Sequence, residues 1–241
     1  MTALPSSVLV FGATGLTGRH TVEVLMRAGH PTVAHVRPDS PRLAEWQTRF
    51  TAMGAQVDAS PWEPTAIRSL FDRERPTHVF ALLGTTQARA KKEGLGGGSA
   101  AYDAVDIKLT ELLIEAALRQ AQPPRFVYLS SVGAESGQGA YLAARKRIED
   151  RLTSSALPYT ILPYTIARPS SIVGERDDAR AMERFGVPLI EGALRVASVF
   201  GAKKTAGRYR AITGEALAAA LVRLAFDPTW TRRIAEREDL G

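Results

Sequence analysis

The sequence predicts an α/β fold built on a doubly wound parallel sheet, and three observations carry that prediction. Apolar runs alternate with stretches of helical length through the first two-thirds of the chain, the pattern of parallel βαβ units. The runs, among them Val8-Leu9-Val10-Phe11, Thr32-Val33-Ala34-His35-Val36 and Phe126-Val127-Tyr128-Leu129, are almost continuously apolar, as in strands covered on both faces. The first run feeds directly into glycines at 12, 15 and 18, and an amphipathic helix follows.

Taken in order, strands are expected at about 7–11, 32–36, 55–58, 78–83 and 125–130. Helices are expected near 16–28, 41–53, 64–72, 100–120 and 141–155, with Gly29 closing the first as a glycine just past a helix end. The segment 156–168 contains Pro-Tyr-Thr-Ile twice, five residues apart, so either copy could supply a sixth strand. An odd offset cannot place equivalent side chains on the same face, which points to one copy being looped out. Residues 164–168 are the favoured strand, because they lead directly into Arg168-Pro169. Beyond them, about 170–210 is irregular and is expected to form a small lobe over the carboxyl edge of the sheet. Residues 214–226 read as a core helix.

Bulk composition narrows the function. The chain has 241 residues, 45% of them hydrophobic, which suits one α/β domain spanning 1–241. Cysteine is absent, which removes disulfides and thiolate chemistry and fits a reducing, cytoplasmic setting. No basic leader precedes an apolar stretch at the amino end, and no run approaches the roughly 20 apolar residues of a membrane helix. The net charge of +6 suits an anionic ligand. Its basic residues are interspersed with acids, as in Arg145-Lys146-Arg147-Ile148-Glu149-Asp150-Arg151, so no nucleic-acid surface is expected. The four histidines show no metal-ligand spacing, and no metal site is expected.

The strand, glycine turn and helix at Gly12-Ala13-Thr14-Gly15-Leu16-Thr17-Gly18 form a dinucleotide cradle of the Rossmann type. Gly12 permits the sharp turn, Gly15 the close approach of a pyrophosphate, and Gly18 tight helix–strand packing. The phosphates would sit on the positive helix end. Arg37 follows the second strand, where an arginine accommodates a ribose 2′-phosphate, so NADP(H) is favoured over NAD(H). Asp39 competes for that place, but Pro38 separates it from the strand. At the end of the fourth strand, Gly84 would admit a cofactor closely, and Thr85 and Thr86 offer hydroxyls. The stretch from Ala88 to Ser99, with Gly96-Gly97-Gly98, reads as a lid or a surface loop.

Ser130 and Ser131 end the fifth strand, and Tyr141 opens the next helix. With the glycine turn, these residues resemble the short-chain dehydrogenase/reductase superfamily in its extended or atypical branch. The further motifs Leu83-Gly84-Thr85-Thr86, Val105-Asp106, Leu129-Ser130-Ser131-Val132-Gly133-Ala134, Tyr141-Leu142, Glu149 and Ala167-Arg168-Pro169 resemble the Tat-interacting-protein-like NADP-binding proteins. The resemblance covers nearly the whole chain. It implies that Tyr141 is the general acid/base, that Ser131 orients the substrate oxygen, and that a lysine four residues after the tyrosine supports it. It also implies cofactor contacts from Asp106, Ser130, Arg168 and Pro169.

The chain departs from that pattern at the lysine. Arg145 stands four residues after Tyr141, and Lys146 is one place late. At about 100° per residue, Arg145 falls on the tyrosine's face and Lys146 is swung away. Arginine keeps the charge but presents a planar fork of different reach. Two functions are therefore expected: an NADP(H)-dependent oxidoreductase of a small carbonyl or alcohol, with Arg145 replacing lysine, or a non-catalytic NADP(H)-binding sensor. The expected partner is a small molecule, for a monomer or homodimer.

Overall fold

A computed structural model describes residues 7–85, 99–154, 162–174 and 210–241. Seven parallel strands form the central sheet: β1 (Val8–Phe11), β2 (Thr32–His35), β3 (Gln56–Asp58), β4 (His78–Ala81), β5 (Arg125–Leu129), β6 (Tyr164–Ala167) and β9 (Arg233–Ala235). Their spatial order is β3-β2-β1-β4-β5-β6-β9. The chain thus grows outward from β1 to β3, returns to place β4 beside β1, and grows outward again. The reversal between β1 and β4 is where such sheets open a ligand crevice at their carboxyl ends.

The flanking helices are α1 (Leu16–Arg27), α2 (Leu43–Ala52), α3 (Pro64–Glu74), α4 (Ser99–Tyr102), α5 (Lys108–Leu118), α6 (Gly139–Thr153) and α7 (Gly214–Phe226). In β1, Val8 and Val10 face one way and Leu9 and Phe11 the other, because strand side chains alternate. The first pair joins Val22, Leu25, Leu217 and Leu221 of α1 and α7. The second joins Ile67, Phe71, Ile114 and Ile148 of α3, α5 and α6. Both faces are dry, which explains the near-continuous apolar strands.

Four differences from the sequence reading have physical causes. The helix expected at 100–120 is interrupted by a widened π-helical turn, Asp103–Ile107, between α4 and α5. The turn carries a buried Asp106, whose polar partners lie on other elements. Tyr141 is the third residue of its helix and not the first; α6 begins at Gly139, itself at φ 77°, two residues after Gly137 at φ 61°. A seventh strand, β9, extends the sheet by pairing with β6. Its three residues, Arg-Ile-Ala, were too short to read. A two-stranded sheet, β7 (Ile172–Val173) with β8 (Ile212–Thr213), brackets the expected lobe.

The sixth strand is the second Pro-Tyr-Thr-Ile copy, with Tyr164 to Ala167 in register with Phe126 to Leu129. The first copy, the lobe residues 175–209, the glycine-rich stretch and Thr86 lie outside the described residues. Gly29, at φ 78°, follows α1 and donates its N–H to Met26 O at 3.0 Å.

Candidate active site

The glycine turn sits at the carboxyl end of β1, beside the exit of β4. Gly12 has φ 79°, and a Cβ there would stand 2.5 Å from Leu82 O. Gly18 presses α1 on the turn so closely that a Cβ would stand 2.8 Å from Gly12 C and 2.9 Å from Ala13 Cα. Gly15 differs: it is exposed, and a Cβ would approach only Gly12 O, at 3.2 Å. Gly15 is also the N-cap residue of α1, and no side chain caps that helix end. An uncapped helix N-terminus under an open glycine is a fitting anion cradle. Thr14 is half-buried and Thr17 buried, while Leu16 packs its side chain under Gly214, where a Cβ would stand 2.8 Å from its Cγ.

Arg37 follows β2 by one buried residue, Val36, and keeps about a third of its side chain exposed. Its Nε lies 3.7 Å from Asp39 Oδ1. The rival acid is therefore a neighbour of the arginine on the same rim.

Gly84 is exposed at the exit of β4. Its lack of a side chain has an origin the sequence did not disclose: a Cβ would stand 2.7 Å from Arg145 Nη2. Arg145 is 4% exposed and Asp106 is 0%. Arg145 Nη2 meets Asp106 Oδ1 at 2.7 Å. Its Nη1 donates to Leu129 O at 2.9 Å, Leu83 O at 3.1 Å and Tyr128 Oη at 3.2 Å. The guanidinium thus ties the ends of β4 and β5. Asp106 also accepts the Thr85 N–H at 3.2 Å. Burial raises the Asp106 pKa, with Arg145 and the Thr85 N–H pulling it back. Burial alone would lower the Arg145 pKa, but Tyr128, Tyr141 and Asp106 outweigh it, and the net shift is upward.

Tyr141 is half-buried on the first turn of α6. Its ring centroid lies 5.2 Å from the Arg145 guanidinium carbon and 5.5 Å from the Tyr102 ring centroid. Lys146 points outward and pairs with Asp150 at 2.8 Å.

The two serines after β5 have different surroundings. Ser130 is buried and donates its hydroxyl to Glu149 Oε1 at 2.6 Å. Ser131 is half-buried, and its hydroxyl makes only a long contact of 3.4 Å with Val132 O. Glu149 further accepts from Arg168 Nε at 3.0 Å and pairs with Arg168 Nη2. Arg168 Nη1 reaches Glu236 at 3.0 Å and Glu135 at 3.4 Å. Hydrogen-bonded Glu149 first, and then Glu236, raise its pKa against the lowering effect of burial. Pro169 O accepts the Val132 N–H at 2.9 Å, which fastens the exit of β6 to the exit of β5.

The side chains of Asp106, Ser130, Arg145 and Arg168 are thus engaged by protein groups beneath the crevice. Gly15 and Gly84 are exposed, and Arg37, Ser131 and Tyr141 are half-buried. Tyr102 and Tyr128 escaped the sequence reading, as did the engagement of Ser130 and Arg168 by Glu149. One signal was available: Tyr141, Arg145 and Glu149 follow each other at spacings of four, which puts them on one helix face. Among the described residues no group of acids and histidines could hold a metal, and no helix is long and apolar enough to cross a membrane.

A family model described as NAD(P)H-binding matches residues 12–199. The chain belongs to this NAD(P)H-binding family. The matched segment includes the glycine turn, β4 and its exit, and α6. Within the family, the chain is 33% identical to "Protein fmp-52, mitochondrial" of Neurospora crassa over 199 residues, covering 80% of this chain and 75% of that one. It is 29% identical to a rice "Divinyl chlorophyllide a 8-vinyl-reductase, chloroplastic" (Oryza sativa subsp. indica), covering 69% of this chain and 40% of that one. A short-chain dehydrogenase/reductase family oxidoreductase from Burkholderia thailandensis superposes with a TM-score of 0.61 at 19% identity, covering 95% and 88% of the two chains. The chain thus shares its fold with a short-chain dehydrogenase/reductase protein, and the family it belongs to is NAD(P)H-binding. The narrower likeness to the Tat-interacting-protein-like branch rests on the motif residues alone.

Proposed function

We propose that the protein is an NADP(H)-dependent oxidoreductase acting on a small carbonyl or alcohol. The observation that carries the reading is the arrangement of one crevice. The uncapped end of α1 under exposed Gly15 lies at the strand reversal, and Ser131 and Tyr141 follow the next strand but one. The pyrophosphate would rest on the N–H groups of Leu16, Thr17 and Gly18, with Thr14 beside them. Arg37 would meet the 2′-phosphate. Gly84, Thr85 and Pro169 would border the second nucleotide. A bound nicotinamide would supply or accept the hydride. Tyr141 would give its hydroxyl proton to the carbonyl oxygen during reduction and take it back during oxidation. Ser131, whose hydroxyl is nearly unengaged, would hold that oxygen. Asp106, Ser130, Arg145 and Arg168 would hold these groups in place from below. The rice relative carries a reductase name, which supports the redox reading. The lack of cysteine supports a cytoplasmic setting, and the mitochondrial name of the Neurospora relative supplies the alternative.

One observation favours a second reading, a non-catalytic NADP(H) sensor. The charge that should assist Tyr141 is buried and paired with Asp106. A fluorescence titration with NADPH and NADH comes first, followed by a panel of carbonyls and alcohols. NADPH is expected to bind more tightly, and Tyr141→Phe is expected to lower any turnover by about a hundredfold or more. Full activity in Tyr141→Phe removes the acid/base assignment. Tight NADPH binding with no turnover across the panel favours the sensor.

A further inference from the structure

Beneath the exposed surface of Gly84 lies a buried pair of opposite charges, Asp106 and Arg145, 2.7 Å apart. Arg145 reaches the carbonyls that end β4 and β5, so the pair sits on the β4–β5 side of the strand reversal. The glycine turn and Arg37 take the pyrophosphate and the adenosine ribose on the β1–β2 side. The second nucleotide of a dinucleotide then falls on the β4–β5 side. The two redox forms differ there by one charge: the oxidised nicotinamide ring is a cation, and the reduced ring is neutral. An unpaired guanidinium at this place would disfavour the oxidised form. Tyr128 from β5 and Tyr141 from α6 also face the guanidinium, and neither offers a compensating carboxylate. Asp106 does.

We propose that Asp106 sets the redox-form preference of the nucleotide site by cancelling the charge of Arg145 under Gly84. The pair is neutral as a unit, so the site accepts oxidised and reduced nucleotide without a charge bias. Asp106 acts through Arg145 and touches no substrate, which makes it a positioning residue. The inference rests on the reading that a nicotinamide nucleotide occupies this crevice.

The test is the ratio of two dissociation constants, for NADP+ and for NADPH, measured by titration in the parent and in Asp106→Asn. Asparagine keeps one oxygen for the Thr85 N–H, removes the negative charge and turns an amide NH2 toward Arg145 in place of the second oxygen. The ratio is expected to rise roughly three- to tenfold, the effect of one unscreened unit charge at partly buried range. A purely structural loss would weaken both forms by the same factor and leave the ratio unchanged, which overturns the proposal. The double variant Asp106→Asn/Arg145→Gln is again neutral and should return the ratio to the parental value. Should Asp106→Asn alone fail to fold, Arg145→Gln leaves the Asp106 carboxylate uncompensated and should lower the ratio, and an unchanged ratio there overturns the proposal. A ratio in the double variant about threefold or more below the parent means that Arg145 acts uncompensated in the parent, and the proposal is overturned. A parent that binds neither form removes the functional reading and this inference together. A parent that binds both, with a ratio unmoved by Asp106→Asn, removes this inference alone.

Discussion

At the scale of single residues, Gly84 separates two explanations of one glycine. The sequence reading made it an opening for a cofactor. The structure shows a different constraint, since a Cβ would stand 2.7 Å from Arg145 Nη2. A flexible arginine could swing aside, but this one is held by Asp106, Leu83 O, Leu129 O and Tyr128. Gly84→Ala should therefore cost roughly 1–3 kcal/mol of stability through overpacking, read as a lower thermal midpoint. In an Arg145→Met background, itself destabilised by the unpaired Asp106, the further loss caused by Gly84→Ala should be smaller, because the two sites share one volume. An alanine variant that keeps the parental midpoint and loses only nucleotide affinity restores the cofactor explanation. Arg37 yields a cleaner residue-scale prediction. It stands on the exposed rim, so Arg37→Ser should leave folding intact and weaken NADPH by about tenfold relative to NADH, in competitive titrations. Equal losses for both nucleotides count against a 2′-phosphate contact.

At the scale of elements, the three glycines of the first turn have three different jobs. Gly18 is pressed against backbone that cannot yield, with Gly12 C at 2.8 Å and Ala13 Cα at 2.9 Å from a Cβ. Gly18→Ala must lift α1 from β1, so a loss of roughly 1–3 kcal/mol is expected in denaturant unfolding, together with loss of nucleotide binding. Gly15→Ala meets only Gly12 O, at 3.2 Å, and should weaken nucleotide binding with little change in stability. Equal unfolding midpoints for the two variants would contradict this division. The glycines were legible in the sequence because their constraint is local backbone geometry. The strands were legible because two dry faces leave almost no polar position in Val8-Leu9-Val10-Phe11. The π turn was not, since Asp103-Ala104-Val105-Asp106-Ile107 reads as ordinary helix until Thr85 and Arg145 claim Asp106. Nor was the difference between Ser130 and Ser131 visible, because it depends on Glu149 arriving from α6. Short β9 pairs at the sheet edge and carries no periodic signal of its own.

At the scale of the whole molecule, the edge of the sheet opposite the crevice governs response to acid. His78 begins β4, and its ring stacks at 4.1 Å on Phe226, with His30 on the same ring at 3.8 Å. His78 Nε2 lies 3.1 Å from Ala225 O, and the Arg125 guanidinium donates to the same carbonyl at 2.8 Å. Burial lowers the His78 pKa to about 4, and it lowers those of His30 and His35 as well. The folded state therefore favours neutral rings, whereas the unfolded chain begins to bind protons near pH 6.5. Stability is full above that pH and is lost as pH falls from about 6.5 toward 4, because the unfolded state then holds more protons. A shift of this size corresponds to at most about 3 kcal/mol for His78, and partial exposure of the ring reduces it to roughly 2 kcal/mol. Urea unfolding at a series of pH values from 7 to 4.5 should show the midpoint falling steadily. His78→Asn should begin from a lower midpoint and lose much of the slope. A parental midpoint that is flat across the series would show that these rings take up protons without opening the stack. Because His78 lies at the amino end of β4 and Gly84 beyond its carboxyl end, the histidine contribution to the acid sensitivity should persist in Asp106→Asn.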